Sequence, residues 1–215
     1  MVEFALLVPV WLPLLLGTMW FGSAMIRGLQ VTQTARDLAS MYCRAVDFSA
    51  TGAGTAQNDI LPKLVQELGT ITTTGGTGRI IFSQITYVGA DICQLAGSPT
   101  YWDNTAKVPT AACKNWQKFV FTQRYTVGSS TVLSASKFGD PVSTDPDSTN
   151  YYNIPITKYV STAGDRVPNF TLLPSPDVTP GGYKSGQPAY LVEVAFSGTA
   201  QAGYGTGGTY AYALF

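Results

Sequence analysis

Between Phe4 and Ile26 the chain runs for 23 residues without a charge, and this stretch limits every fold open to it. As a helix at about 1.5 Å per residue it reaches about 34 Å, enough to cross a hydrocarbon layer of about 30 Å. Two details set it apart: Glu3 stands just before it, and Pro9 and Pro13 interrupt it. A secretory signal peptide would use Gly22-Ser23-Ala24 as a small-residue cleavage site, but the basic n-region is missing and the apolar run is too long for an h-region. A plain membrane anchor fits the length and leaves Glu3 and the prolines without a use. Each proline removes a backbone donor and crowds the preceding turn. Four residues apart, they disturb one short stretch, which is either a locally stretched, adaptable helix or a tolerated kink in an ordinary membrane span. Thr18 with Gly22, and Ala24 with Gly28, are small residues at i and i+4 that let helix backbones approach closely.

The remainder is long enough for one domain with a core: 215 residues in all, too few for two comfortable domains. Charged residues make up 12% and the formal net charge is zero, so nothing attracts nucleic acid or an anionic membrane surface. There is no histidine, which removes the commonest general base and metal ligand. The expectation is a protein that is not an enzyme and holds no cofactor or metal. Tyr, Gly, Pro, Thr and Ser are abundant, as suits a β-rich, loop-rich body outside a cell.

Three cysteines remain. Cys93 and Cys113 flank a polar loop, and a bridge between them would restrict the unfolded chain by about 3 kcal/mol; a disulfide there is expected for an exported chain. Cys43 lies in a helical pattern and is expected to pack as a small buried hydrophobe. Orientation raises a conflict. Arg27, Arg36 and Arg44 all follow the apolar run, which by the positive-inside rule places the body in the cytoplasm, whereas the cysteines and composition argue for the outside. A basic leader removed from ahead of Met1 would reconcile the two.

From Arg27 to Asp47 helical spacing continues with a new pattern. Val31, Ala35, Leu38, Tyr42 and Ala45 step by four and three, Ala39, Cys43 and Val46 widen the stripe, and polar residues take the other side. A helix apolar all round thus becomes amphipathic, and the stripe is expected to pack on a sheet. Residues 1–50 read as one stalk helix, with 1–28 membrane or filament core and 29–48 amphipathic. Residues 58–69 suggest a short second helix. The windows 79–88, 118–127, 189–196 and 209–215 are dense in β-branched and aromatic residues and read as strands. In the third, Tyr190, Val192, Val194 and Phe196 share one face while Glu193 looks out; in the second, Phe119, Phe121, Tyr125 and Val127 share one face. Residues 51–215 form a β-rich head, with a loop-rich excursion at about 128–188.

Several motifs match by letters only. Residues 203–208 fit G-x-G-x-x-G but no helix follows to face an anion, so a hairpin turn is expected. Ser134-Ala-Ser-Lys137 fits S-x-x-K without its companion motifs. Asp145 and Asp147 resemble the start of a calcium loop, but the glycine and terminal glutamate of an EF-hand are absent. Asn169-Phe-Thr171 is a formal N-glycosylation sequon. Tyr101, Trp102, Tyr151 and Tyr152, read as exposed, either stack on sugars or bury against neighbouring subunits.

The stretch Val2-Glu3-Phe4-Ala5 leading into Leu6 to Gly17 resembles the amino-terminal signature of the TadE-like proteins, relatives of type IV pilins encoded with Tad (tight adherence) pili. The resemblance implies a short basic leader cut by a prepilin peptidase, residence in the bacterial inner membrane, and assembly into a surface filament by the pilus machinery. The pilin-type glutamate usually stands fifth in the mature chain and here stands third; either two residues precede Met1 after processing or the geometry differs. The pairing partner implied for Glu3 is the amino terminus of a neighbouring subunit, and such buried polar pairs fix register.

The expected fold is therefore α+β: a long N-terminal stalk helix packed on a C-terminal antiparallel sheet. The expected function is that of a pilin-like structural subunit forming an extracellular homo-oligomeric filament. Met1, Glu3, Phe4, Pro9, Pro13, Gly17, Thr18 and Gly22 are the candidate assembly residues. The alternatives are a minor TadE-like pseudopilin assisting a pilus made of another protein, and a membrane-anchored surface domain that binds carbohydrate.

Overall fold

The computed structural model describes residues 2–50, 52–168, 170, 173, 183–198 and 208–215, with side chains from residue 8 onward. The fold is α+β. Helix α1, Val2–Cys43, runs unbroken through Pro9 and Pro13. Its apolar stripe meets the head from Val31 on: Val31, Ala35, Leu38, Ala39 and Tyr42 are all buried. A side chain of Leu38's size, fully buried, contributes about 2–3 kcal/mol.

The helix stops earlier than its spacing suggests. Ala45 adopts a left-handed φ of +63°, a cap conformation usually left to glycine, and the Val46 N–H reaches back to the Met41 carbonyl at 3.1 Å. The stripe therefore breaks at Tyr42, and two expectations are corrected. Ala45 is exposed rather than packed on the sheet, and Cys43, at the last helical position, is an exposed free thiol rather than a buried hydrophobe. The chain re-enters the core at Phe48, which stacks on Phe82 at 4.7 Å. In place of one helix over 58–69 there is a π-helical turn, Ala56–Ile60, followed by α2, Leu61–Leu64. Pro62 sits where a proline is tolerated, in the first turn of α2.

The head is built on a four-stranded antiparallel sheet of β1 (Gly78–Tyr87), β4 (Phe119–Gly128), β5 (Ala189–Phe196) and β6 (Thr209–Leu214), in the order β4-β1-β5-β6. Helix α1 lies on the β5 and β6 side, over Ile80, Phe82, Val192, Val194, Phe196, Ala211 and Ala213. Between β1 and β4 come α3 (Ala90–Ala96) and a small hairpin of β2 (Trp102–Asp103) and β3 (Val108–Pro109). Cys93 in α3 is bridged to Cys113, with Cα atoms 5.9 Å apart, which ties that excursion to the entrance of β4. Trp102, read as exposed, is buried.

Both faces of the sheet are covered, and this overturns two further expectations. Gln84 pairs with Gln123 but Ile85 pairs with Phe121, so Thr122 is an extra residue, a β-bulge, and the alternation of β4 reverses there. Tyr125 and Val127 face α1, whereas Phe119 and Phe121 join Ile85, Tyr87, Leu191, Ile154 and Val167 on the opposite face. That face is roofed by segments between β4 and β5, including α4 (Ile156–Ser161). Glu193 points into it and is fully buried instead of looking out.

Candidate assembly surface

The lower half of α1 is apolar and, among the described residues, has no buried side chain. Side chains from Val8 to Ile26 are exposed throughout, including Trp11 at 69%, Phe21 at 75% and Met25 at 73%. Exposed apolar surface of this extent on one continuous element marks a protein or membrane contact. The apolar helix is also long enough to cross a membrane. A Cβ placed on Gly17, Gly22 or Gly28 would meet nothing within 4 Å, so none of these glycines is required by packing inside the subunit. The Thr18 and Ser23 hydroxyls donate back to the Leu15 and Trp20 carbonyls, each at 2.9 Å, which removes their polarity from the helix surface. Met1 lies outside the described residues. Glu3 and Phe4 fall within the backbone of α1, and their side chains lie outside the description.

Arg27 marks the boundary between the halves. Its guanidinium donates to the Leu68 carbonyl at 3.0 Å and the Ser197 carbonyl at 3.4 Å, one from the end of α2's turn and one from the end of β5. The first cation after the apolar run is therefore tied to the base of the head. In the sequence Arg27 reads only as a topology signal; its place immediately after the uncharged run is the clue to the boundary.

Above this boundary the charged residues serve the head. Glu193 accepts the Lys137 N–H at 2.9 Å, the Tyr210 hydroxyl at 2.7 Å and the Ser136 hydroxyl. Arg124, also buried, donates to Ser83, to the Gly139 carbonyl at 2.8 Å and to Asp140, and lies 4.0 Å from Glu193. Burial, with Glu193 beside it, pushes the Tyr210 phenol upward, so it stays a donor. This cluster pins residues 136–140 to the sheet. Lys137 of the S-x-x-K match is placed there by its backbone N–H, which shows a structural use for that residue.

Asp145, singled out for calcium, is buried beside Asp165 and within 3.5 Å of the Lys158 ammonium. Burial raises the Asp165 carboxyl to about 6, with Asp145 adding to the rise and the Val142 N–H opposing it. Asp147 instead caps its own turn, accepting from the Thr149 N–H and hydroxyl, which lowers its pKa. Among the described residues no group of three or more acidic or Cys side chains is placed to hold a metal. The G-x-G-x-x-G stretch up to Gly207 and the sequon residues Asn169 and Thr171 lie outside the described residues.

Against known proteins, the family model described as TadE-like protein matches residues 1–40, which spans the apolar half of α1 and most of its amphipathic half. No curated protein and no solved structure matches the chain.

Proposed function

We propose that this chain is a pilin-like structural subunit that polymerises through the lower half of α1 into an extracellular filament, after residence in the inner membrane. The observation that carries the reading is the 8–26 segment, exposed and apolar on every side while the head above it is already closed. In a bilayer its surroundings would be lipid; in a filament they would be the same segment of neighbouring subunits. The small residues at 17, 18, 22 and 28 allow close approach between such helices. Glu3 then pairs with the amino terminus of a neighbour and sets the axial register, since a carboxylate inside an apolar bundle needs a counter-charge. The match of residues 1–40 to TadE-like proteins supports a place in Tad pilus biogenesis, with the prepilin peptidase and the pilus assembly machinery as partners. The role requires no catalysis and no cofactor. The test is electron microscopy of sheared extracellular material with peptide identification. The reading expects the chain to be a principal component of the filaments. Recovery in trace amounts would assign the minor, assisting role, and exclusive recovery in the membrane would overturn polymerisation.

A further inference from the structure

At the end of α1 far from the apolar segment, the head carries a recess of about 320 Å³, within the range of about 300–1,000 Å³ usual for small-ligand sites. Four aromatic residues are among its lining: Tyr42, Phe48 and Phe82, all buried in the core, and the half-buried Tyr190, with ring centroids about 5 Å apart. Polar groups line it as well. The side-chain amides of Gln84 and Asn153 are half-buried in its wall and form no hydrogen bond with the described residues. Asp47 binds Ser49 through Oδ1 and has Oδ2 to spare. Gln84 and Asn153 also line an adjoining recess of about 530 Å³, so the groove continues past the first ring-sized space.

Tyr151 is the second, independent observation. Tyr151 and Tyr152 are consecutive residues with φ of +53° and +58°, a conformation that bulky side chains rarely adopt and that costs about 1–3 kcal/mol per residue. The strain is held by bonds to β4: the Gln123 amide donates to the Tyr151 carbonyl at 2.6 Å, and the Arg124 N–H to the Tyr152 carbonyl at 3.2 Å. Its result is that Tyr152 packs on Tyr125 at 4.8 Å while Tyr151 stands 60% exposed at the rim. An aromatic side chain left exposed at the recess by a strained backbone offers a ring face to a ligand.

We propose that this recess is a binding site for neutral saccharides. The chemistry of the lining selects them. Among the described residues no lysine or arginine lines the recess and one aspartate does, which disfavours phosphates and carboxylates. A purely apolar ligand would leave the two amides desolvated and unpaired, at about 1–3 kcal/mol each. A primary amide presents a donor and an acceptor side by side, the pattern offered by two adjacent hydroxyls, while the exposed Tyr151 ring accepts the C–H face of a pyranose. A peptide adding as a strand to β4 is blocked, because that edge already bridges to Asn153 and Arg166. The inference does not depend on polymerisation, since the recess lies about 25–30 Å along α1 from the last apolar residue of the lower half.

The test is saturation-transfer NMR on the full chain, held in a detergent without a sugar headgroup. The probes are methyl glycosides of glucose, galactose, mannose and N-acetylglucosamine, then cellobiose and lactose, with methyl galacturonide as the charged counterpart. Transfer to at least one neutral probe is expected, strongest at its C–H face, and weaker transfer to the galacturonide. Glycosides favoured over disaccharides indicate recognition of a glycan end, and the reverse indicates an internal stretch. Gln84→Leu with Asn153→Leu should raise the dissociation constant about tenfold or more, as expected for losing one or two hydrogen bonds. Tyr151→Ala, which removes a 60% exposed ring and leaves the backbone conformation as it is, should do the same with the head still folded and the Cys93–Cys113 bridge intact. Tyr212→Ala, at the other edge of the sheet, should leave binding unchanged. No transfer to any neutral probe, preference for the galacturonide, or transfer unaffected by both the paired variant and Tyr151→Ala would overturn the proposal.

Discussion

Residues 8–26 and 27–43 of α1 form one unbroken helix, yet they differ in nearly everything that decides where a helix sits. The upper half has a polar side and a buried side. It gives Val31, Leu38 and Tyr42 to the sheet, and Arg27 fastens its lower end to the Leu68 and Ser197 carbonyls. The lower half has neither a polar side nor, among the described residues, a buried one. Both halves are helical, so helix formation does not explain the difference. Amphipathicity does: a one-sided stripe can be satisfied by the subunit's own sheet, whereas an apolar surface all round requires surroundings that are apolar all round. Stability of the subunit should therefore depend on residues above Arg27, and association on residues below it.

The largest expected loss of head stability comes from Glu193→Leu. It leaves Arg124, Lys137 N–H, Ser136 and Tyr210 short of an acceptor in the interior, and breaking a buried charge pair costs about 3–5 kcal/mol. Thermal or denaturant unfolding of the purified chain measures it; a change within 1 kcal/mol would contradict the reading of this cluster. Leu38→Ala in the upper half should cost about 2–5 kcal/mol by the lost burial and the cavity left behind. Leu15→Ala in the lower half should fall within about 0.5 kcal/mol of wild type by the same measurement, and equal losses at Leu38 and Leu15 would erase the contrast between the halves.

A smaller effect distinguishes the head by pH. Burial raises the Asp165 carboxyl in the folded state to about 6 from an ordinary 3.8, so between those values the native state holds a proton that the unfolded state has released. The stabilising contribution is complete below the lower value and is lost as pH rises through the upper one. Asp165→Asn resembles the protonated form. The difference in melting temperature between variant and wild type should move in the variant's favour as pH rises from about 4 to about 7. A constant difference would show that Asp165 titrates normally. Retention of the chain in membranes, which belongs to the lower half, should not change over the same range.

The four strand windows and the change of pattern at Arg27 were legible because burial on one face leaves a period in the sequence. What escaped did so for local reasons. Alternation alone puts Glu193 on the solvent side of a one-sided sheet; the far face is roofed by described segments between β4 and β5, such as α4, whose sequence carries no period that announces where they lie. A plain alternation puts Phe119 and Phe121 with Tyr125, but a single extra residue, Thr122, reverses the face, and a bulge has no reliable mark in a run of β-formers. Helical spacing carries the stripe on to Ala45 and Cys43, because a left-handed cap on alanine gives no glycine to signal the stop. Arg27 was visible as a charge but not as a clasp, since its carbonyl partners at Leu68 and Ser197 lie 41 and 170 residues away. The exposed apolar segment is the most legible feature of all, because a run that is apolar on every side needs no tertiary partner to be recognised.

The division of labour along α1 is tested most directly by Glu3→Ala, with head stability and filament yield measured on the same strain. Glu3 lies about 40 Å below Val31 along a continuous helix, out of reach of every contact that holds the head. The account predicts an unchanged melting temperature of the head and a normal membrane pool of subunit. It also predicts a marked fall in filaments, or filaments of altered symmetry, because a neighbour's ammonium group loses its counter-charge at a cost of about 3 kcal/mol. Normal filaments in normal amount from Glu3→Ala subunits would contradict it, and would leave residues 2–26 as a membrane anchor alone.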